Sequence, residues 1–308
     1  METFCISIIV PCYNEEEVVQ LFLEEVSPIL KRTKQEYEII FVNDGSKDNT
    51  LEKLLSLKSI YEPIRIIHLS RNFGKEAALT AGLDCAKGDV IIPIDADLQD
   101  PPELIEQFID KWKEGYEVVL AKRIDRKSDS IAKRYSANLF YKFHNTISTT
   151  TIPDNVGDYR LMSRKVVTAI QQLPENQRFM KGIFAWVGFK TTTIEYVRET
   201  RKAGETSFSA WKLWNFALDG ITSFSTVPLR IWFYIGSFIS FLSLVYGSAI
   251  IIKTLIYGID LPGYASIFTT VLFLGGIQLM GIGILGEYIG RLYQESKRRP
   301  IYIIENEY

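Results

Sequence analysis

The sequence predicts an α/β domain built on a mainly parallel sheet, followed by a C-terminal part anchored in a membrane. Up to about residue 205, short apolar runs alternate with helical segments, which is typical of strands buried on both faces of a parallel sheet. Beyond that point, the stretches 231–252 and 261–286 contain no charged residue. Each is long enough to cross a bilayer, which takes roughly 20 helical residues. A buried hairpin of core helices is the alternative.

The strands and helices of the first domain follow in regular alternation. Strands are predicted at ISIIV, YEIIFV, IRIIHL, DVIIPI and YEVVLAK, in this order. Helices are predicted between them at 14–34, 46–59 and 75–86, and a further helix is predicted to open at Pro102. Because the carboxyl ends of parallel strands meet at one edge of the sheet, we expect a ligand to bind at that edge.

Polar residues follow each of the first four strands, in the segments PCYNEEE, NDGSKD, SRNFGKEAA and DADLQDPPE. Four such strand ends together indicate a binding site, with a plain solvated rim as the alternative. A turn that starts at Asp95 would bring Asp95 and Asp97 towards one divalent cation, with Gln99 as a further oxygen ligand. Asp100 is expected to cap the helix that opens at Pro102. An acidic turn facing water is the alternative to the cation site.

Composition restricts the partners and the compartment. The net charge of −2 excludes a general nucleic-acid binder, because no excess of Lys and Arg is available for phosphates. The three cysteines, Cys5, Cys12 and Cys85, match no zinc-site spacing and are expected to be reduced thiols of a cytosolic domain.

The C-terminal part is expected to cross the membrane twice. The connector between the two uncharged stretches carries one basic residue, Lys253, whereas the flank after the second carries Arg291, Lys297, Arg298 and Arg299. Basic residues favour the cytoplasmic side, so both termini and the first domain are predicted to be cytosolic. The predicted division is a cytosolic domain at 1–205, a juxtamembrane amphipathic helix at 206–229, two transmembrane helices at 230–290 and a basic tail at 291–308.

Two further features of the sequence concern the membrane. The segments 129–151 and 208–224 place aromatic and basic residues together, which suits the headgroup layer of a bilayer. Ordinary helices packed on the domain are the alternative for both. The glycines of GIGILG, in the second uncharged stretch, allow close helix packing and are compatible with a homo-oligomer.

Four segments in a fixed order carry a family resemblance. SIIVPCYNEEE, FVNDGSKDNT, NFGKEAALTAGLDCAKGDVIIPIDADLQDPPE and NVGDYRLMSR together resemble family 2 glycosyltransferases of the GT-A fold. The resemblance continues through the two uncharged stretches and GILGEYIGRLY. Within family 2, the sequence most resembles the polyprenyl-phosphate glycosyltransferases. Among these, it most resembles the bactoprenol (undecaprenyl-phosphate) glucosyltransferases.

The resemblance implies roles for individual residues. For the donor, it implies that the base and ribose border Pro11, Tyr13 and Glu15, that Asp44 binds the uracil edge, and that Lys75 lies near the phosphates. For the metal, it implies Mg²⁺ or Mn²⁺ on Asp95, Asp97 and Gln99, bridging the donor diphosphate. For catalysis, it implies that Asp158 acts as base or positions the acceptor, and that Arg123 and Arg201 hold phosphate groups.

Each residue also has a plain structural alternative. Glu15 could be an acid of a first helical turn, Asp44 part of a turn, Asp158 a surface cap and Lys75 a solvated side chain. The sequence also departs from the family in one place. Ser207 stands where the family often has a Lys, and the nearby Lys202 is the residue that could replace its phosphate contact.

The function implied is the inverting transfer of glucose from UDP-glucose to undecaprenyl phosphate. The product would serve modification of O-antigen or another envelope glycan. The protein would then lie in the inner (cytoplasmic) membrane, with a UDP-sugar donor and a polyprenyl-phosphate acceptor as partners. Alternatives are the same transfer from GDP-mannose, UDP-GlcNAc or an aminosugar donor, and a non-catalytic nucleotide-sugar sensor.

Overall fold

The computed structural model describes residues 3–124, 153–176, 178–197, 225–257 and 263–308. In these ranges one mixed sheet has eight strands: β1 Cys5–Cys12, β2 Glu36–Asn43, β3 Ile64–Leu69, β4 Val90–Pro93, β5 Val118–Arg123, β6 Val156–Ser163, β7 Thr191–Tyr196 and β8 Ile304–Glu307. The described helices are α1 Val19–Arg32, α2 Thr50–Lys58, α3 Lys75–Cys85, α4 Leu104–Lys113, α5 Arg164–Gln171, α6 Met180–Trp186, α7 Val227–Tyr257 and α8 Tyr264–Ser296.

The sheet is mainly parallel, with the spatial order β7-β5-β6-β4-β1-β2-β3-β8. Strands β3, β2, β1 and β4 run parallel, β6 runs antiparallel to both β4 and β5, and β8 runs antiparallel to β3. The chain places β2 and β3 on one side of β1 and then crosses to place β4 on the other. This reversal opens a crevice at the carboxyl ends of β1 and β4, where ligands bind in open α/β sheets.

Alternating residues of the central strand face two separate cores. Ile8 of β1 packs with the α1 and α4 residues Phe22 and Phe108, whereas the neighbouring Ile9 packs with Leu79 of α3. Period-two alternation with both faces apolar is what a parallel strand between two helical layers requires. The predicted α/β fold with a mainly parallel sheet is therefore confirmed.

A glycine sets how closely α3 approaches the sheet. A Cβ atom built on Gly82 would lie 2.3 Å from Cγ2 of Ile9, so any larger residue would push the helix away from β1. The first residue of this helix is Lys75, which makes the central contact of the site described below. Gly82 therefore fixes the depth at which that lysine reaches the sheet edge.

Three predicted helices begin later than the sequence pattern indicates. The first begins at Val19 instead of residue 14, the second at Thr50 instead of residue 46, and the fourth at Leu104 instead of Pro102. The residues in front of them form strand-end loops that bond to one another. Asn14, with φ of 56°, accepts the Lys47 amide on its side chain at 2.8 Å. These side-chain bonds hold the backbone in turns in place of a first helical turn.

The end of the chain returns to the sheet. Strand β8 pairs with the edge strand β3, and Arg65 of β3 forms an ion pair with Glu307. The Tyr302 hydroxyl donates to Asp84 Oδ2 at 2.8 Å. Helix α8 is also tied to the domain, because the Asn176 amide donates to Glu295 Oε1 at 3.0 Å. The predicted division into domains stays a prediction. Residues 304–307, which belong to the predicted basic tail, form a strand of the sheet.

The two long helices expose apolar side chains along their length. Helix α7 has 31 residues and α8 has 33. Phe233 is 71% exposed and Leu279 also 71%. Among the described residues, one helical segment, Phe273–Ser296, is long and apolar enough to cross a membrane. This segment overlaps the predicted span at 261–286, whereas the predicted span at 231–252, and with it the double crossing of the membrane, stays a prediction. The segments 129–151 and 208–224 lie outside the described residues.

Candidate active site

The loops that follow β1 and β2 meet at the carboxyl edge of the sheet. The Asp44 amide donates to the Cys12 carbonyl at 2.9 Å, and the Glu15 amide donates to Thr50 Oγ1 at 2.9 Å. The side chain of Tyr13 is 41% exposed between these two loops, and Pro11 and Glu15 are partly buried. The predicted borders of a nucleoside are thus grouped at adjacent strand ends, and their contact with a donor stays a prediction.

Asp44 holds the start of α3. The residue is 3% exposed, and its two carboxylate oxygens accept the amides of Phe73 at 2.7 Å and Gly74 at 2.9 Å. Burial raises the pKa of Asp44, although these two amides favour its charged form. Gly45 has φ of 60° and leaves no room for a side chain, since a Cβ would lie 2.4 Å from the Arg71 backbone. The predicted uracil contact of Asp44 would have to share oxygens already bonded to this loop.

Lys75 joins two of the predicted site carboxylates. Its Nζ lies 2.7 Å from Asp95 Oδ1, at the end of β4, and 2.9 Å from Asp158 Oδ2, in β6. Burial alone would lower the pKa of Lys75, but the negative charges of Asp158 and Asp95 outweigh it and raise the pKa. Residues 75, 95 and 158, which are far apart in the sequence, therefore form one charged cluster at the crevice.

Asp158 is held in its ionised form. Burial by itself would raise its pKa, but Lys75, Lys181 and Arg160 hold the pKa of Asp158 well below the usual range of a carboxyl group. A carboxylate with so low a pKa is a weak proton acceptor. The electrostatics thus favour a role in orienting and balancing charge over one as a general base.

The segment after β4 forms the turn that a cation site would need. Asp97 is 9% exposed, and its Oδ1 accepts the Gln99 amide at 3.2 Å across Leu98, whose φ is 52°. In the described part of the chain no group of three or more His, Cys, Asp and Glu side chains is arranged to hold a metal. Two carboxylates and an amide oxygen nevertheless fit Mg²⁺ or Mn²⁺, since such ions keep positions for water and phosphate.

Arg123 is fixed beside the cluster by a tyrosine and a buried acid. Its Nε donates to the Tyr196 hydroxyl at 3.0 Å, and its Nη2 lies 3.7 Å from Asp100 Oδ1. The same hydroxyl donates to Asp100, which is 4% exposed. Burial would lower the pKa of Arg123, but Asp100 and Tyr196 raise it, so the guanidinium stays charged. Gly157 lies against Arg123, because a Cβ built on it would be 3.2 Å from Nη2.

The cap predicted for Asp100 is wrong. The N-cap residue of α4 is Glu103, and Asp100 instead lies in the cluster with Tyr196 and Arg123. The helix begins at Leu104, two residues later than expected, which moves its N-terminus away from Asp100. Arg201, Lys202 and Ser207 lie outside the described residues, so their predicted roles are untouched.

Sequence reasoning did not single out four charged or polar residues of the site: Glu76, Arg160 and Lys181, which act on or lie next to Asp158, and Tyr196, which bonds to Asp100 and Arg123. Burial and the charge of Asp158 raise the pKa of Glu76 to about 7, and its Oε2 accepts the Met180 amide at 3.3 Å. Burial lowers the pKa of Arg160 to about 10. Glu76 and Arg160 each lie within two residues of a predicted site residue, and this position in the sequence could have identified them. No feature of the sequence points to Lys181 or Tyr196 as site residues.

The strand order of the sheet reverses between β1 and β4, and a lysine and carboxylates lie at this point. This arrangement is typical of α/β domains that bind nucleotides, and here the domain is joined to two long apolar helices. The sequence matches glycosyl transferase family 2 over residues 7–170 and the GtrB C-terminal hairpin over residues 227–292. The chain belongs to glycosyl transferase family 2, as the resemblance predicted.

Relatives match the chain over nearly its whole length. The bactoprenol glucosyl transferase of Shigella phage SfV is 55% identical, over 98% of this chain and 98% of its own. A prophage bactoprenol glucosyl transferase homolog of Escherichia coli strain K12 is 54% identical, over 97% and 98%. An uncharacterized glycosyltransferase of Synechocystis sp. is 53% identical, over 99% and 96%. The predicted resemblance to bactoprenol glucosyltransferases is therefore confirmed.

Proposed function

We propose that the protein transfers glucose from UDP-glucose to undecaprenyl (bactoprenol) phosphate, giving undecaprenyl-phosphate glucose and UDP. The observation that carries this proposal is the contact of Lys75 with both Asp95 and Asp158. This contact joins Asp95, the candidate ligand of the metal on the donor diphosphate, to Asp158, the candidate residue that positions the acceptor. Both lie at the crevice of the sheet. Similarity along the full chain to proteins named bactoprenol glucosyl transferases supports the choice of sugar and lipid.

Asp95, Asp97 and Gln99 would hold a Mg²⁺ or Mn²⁺ ion. When bound, the ion neutralises the charge that gathers on the UDP leaving group. The chain supplies the remaining charge balance. Lys75 can move from Asp95 to a donor phosphate, because 44% of its side-chain surface is exposed. Pro11, Tyr13, Glu15 and Asp44 would border the uridine at the ends of the neighbouring strands.

The reaction is a single displacement with inversion. An oxygen of the lipid phosphate forms the new bond to the anomeric carbon as the bond from that carbon to the UDP oxygen breaks. The acceptor phosphate is already anionic at neutral pH, so no strong base is needed. Asp158, held ionised by its cationic neighbours, positions the reacting groups. Arg123, with Arg201 as a second cation, offsets the repulsion between the anionic donor and the anionic acceptor.

The membrane helices would bring this site to its lipid substrate. In this proposal α7 and α8 both span the inner membrane, and the catalytic domain and both chain termini lie in the cytosol. Exposed apolar side chains on both helices support a hydrocarbon environment. The product would feed modification of O-antigen or another envelope glycan, and the glycines of α8 are available for packing in a homo-oligomer.

Membranes that contain the protein, incubated with undecaprenyl phosphate and one radiolabelled donor at a time, test the proposal. Donors are UDP-glucose, UDP-GlcNAc and GDP-mannose. Labelled lipid is expected from UDP-glucose alone, with membranes lacking the protein as the control. Labelled lipid from another donor only would reassign the sugar. No labelled lipid from any donor would reject the transfer.

A further inference from the structure

A cavity of about 230 Å³ lies beside Asp158, on the face of the sheet that packs against α6. Its walls are largely apolar, formed by Val118, Leu120, Val156, Phe184 and Phe189. Two cations, Arg160 and Lys181, also line it. Arg160 and Lys181 help to keep Asp158 ionised, but no residue of this cavity has been assigned a contact with a substrate.

Arg160 is a buried charge directed at this cavity. It is 4% exposed, its Nη2 donates to the Gly157 carbonyl at 2.7 Å, and its guanidinium lies 4.1 Å from the centre of the Phe184 ring. Within the described chain, it forms no ion pair at contact distance with a carboxylate. A buried cation without a close counter-ion is costly, and this burial is why its pKa is lowered.

Lys181 adds a second cation from α6. Its charge acts on Asp158 and Glu76, yet among the described residues no carboxylate lies within ion-pair distance of it. Two cations in one small cavity favour an anionic ligand over a neutral sugar. Phosphate monoesters are well matched to a guanidinium and an ammonium acting together.

The cavity is linked through β6 to Asp158, the candidate acceptor residue. Arg160 follows Asp158 by two residues in β6, so the two side chains project from the same face of the sheet. Asp158 itself contacts Lys75, which contacts the candidate metal residue Asp95. Contacts thus link the candidate metal residue to Asp158, and β6 links Asp158 to the cationic cavity. An attacking group must reach the anomeric carbon from the side opposite to the leaving diphosphate.

We propose that this cavity binds the acceptor, with Arg160 and Lys181 holding its phosphate and the apolar wall contacting the first carbons of its hydrocarbon chain. The inference rests on the proposed function and assigns the acceptor site to residues other than Arg123 and Arg201. A ligand with a charged end and an apolar body matches the two cations and the five apolar side chains of the cavity.

The first test is Lys181→Met, which removes the charge and keeps the length of the side chain. The KM for undecaprenyl phosphate is expected to rise about tenfold or more, since hydrogen bonds between charged groups are the strong ones. The KM for UDP-glucose should stay unchanged. Lys111→Met is the matched control, because Lys111 lies on α4 and bonds to Glu114. An unchanged acceptor KM in Lys181→Met would overturn the assignment.

The second test fills the cavity from its wall. Ala185 of α6 lines the cavity, and Ala185→Phe should raise the KM for the acceptor while UDP-glucose binding, which reports on folding, is preserved. Direct binding of geranyl phosphate, geraniol and inorganic phosphate to the full-length protein separates the two ends of the ligand. Geranyl phosphate is expected to bind tightest, and less tightly to both variants. Equal binding of geranyl phosphate and inorganic phosphate would overturn the role of the apolar wall.

The two proposals fail in different ways. If wild-type protein makes glucosyl lipid while both variants keep the wild-type acceptor KM, the cavity assignment fails and the function stands. If the wild type makes no lipid product but binds geranyl phosphate through Lys181, the function fails and the cavity remains a site for an apolar phosphate monoester.

Discussion

The carboxyl edge of the sheet and the two long helices use side chains in opposite ways. At the edge, charged groups are drawn together, with Lys75 2.7 Å from Asp95 and Asp158 only 20% exposed. Along the helices, large apolar side chains such as Phe233 and Leu279 are 71% exposed. Exposed apolar patches of this size are unfavourable in water, whereas paired charges at a partly exposed edge are not. In the function proposed above, the edge meets an anionic ligand and the helices meet hydrocarbon.

The largest effect is expected where the charged edge loses a metal residue. Asp97→Ala should lower glucosyl transfer at least about a thousandfold, because a bound ion contributes several kcal/mol to leaving-group stabilisation. Added Mn²⁺ should not restore the rate. Asp110→Ala, an exposed acid of α4, is the control and should keep wild-type transfer. Substantial transfer by Asp97→Ala would contradict the assignment of Asp97 as a metal ligand.

The next effect concerns the lysine that holds the edge together. Lys75→Met should slow transfer about a hundredfold, the usual cost of removing one preorganised charge donor. Asp158 then loses its nearest cation, so burial dominates and the pKa of Asp158 rises. Asp158 in the wild type stays ionised well below neutral pH, and in the variant its charge is lost at a higher pH.

The acid limb of the pH–rate profile should therefore move to higher pH in Lys75→Met. Lys75→Arg keeps the charge and is expected to leave that limb in place. If the limbs of wild type and Lys75→Met coincide, the contact of Lys75 with Asp158 does not control the ionisation of Asp158.

A matched pair of leucines tests the contrast between the two regions directly. Leu23, in α1, is fully buried, and Leu23→Ala should cost about 2–5 kcal/mol of unfolding free energy. Leu279→Ala, in α8, should change it by less than about 0.5 kcal/mol, because the side chain leaves no cavity. Thermal unfolding in detergent micelles measures both. A comparable loss for Leu279→Ala would show that this face is buried against another protein surface.

The sequence pattern predicted some of these features because they are local. An apolar strand followed by Asp95, Asp97 and Gln99 specifies a turn at a sheet edge, and uncharged stretches specify long apolar helices. The Lys75–Asp158 contact could not be predicted from the residue pattern in the same way. It depends on β6 entering the sheet antiparallel to β4, with Val90 paired to Ser163. Nor does composition reveal that Asp100 bonds to Tyr196, 96 residues away.

The smallest effect is a pH-dependent change in stability at Glu76. Its pKa is raised to about 7 by burial and by Asp158, above the ordinary value of 4.5, so the folded protein holds a proton that the unfolded chain releases. Between these two pH values the folded state binds more protons, and this contribution to stability is lost as the pH rises. The Tm of Glu76→Gln, which stays neutral, should therefore fall less than that of the wild type between pH 5 and pH 8.

Glu106→Gln, on the surface of α4, supplies the control, and its Tm should change with pH as that of the wild type does. Parallel curves of Tm against pH for Glu76→Gln and wild type would mean that Glu76 titrates as an ordinary exposed carboxyl group. The charge of Asp158 would then act on Lys75 but not on Glu76.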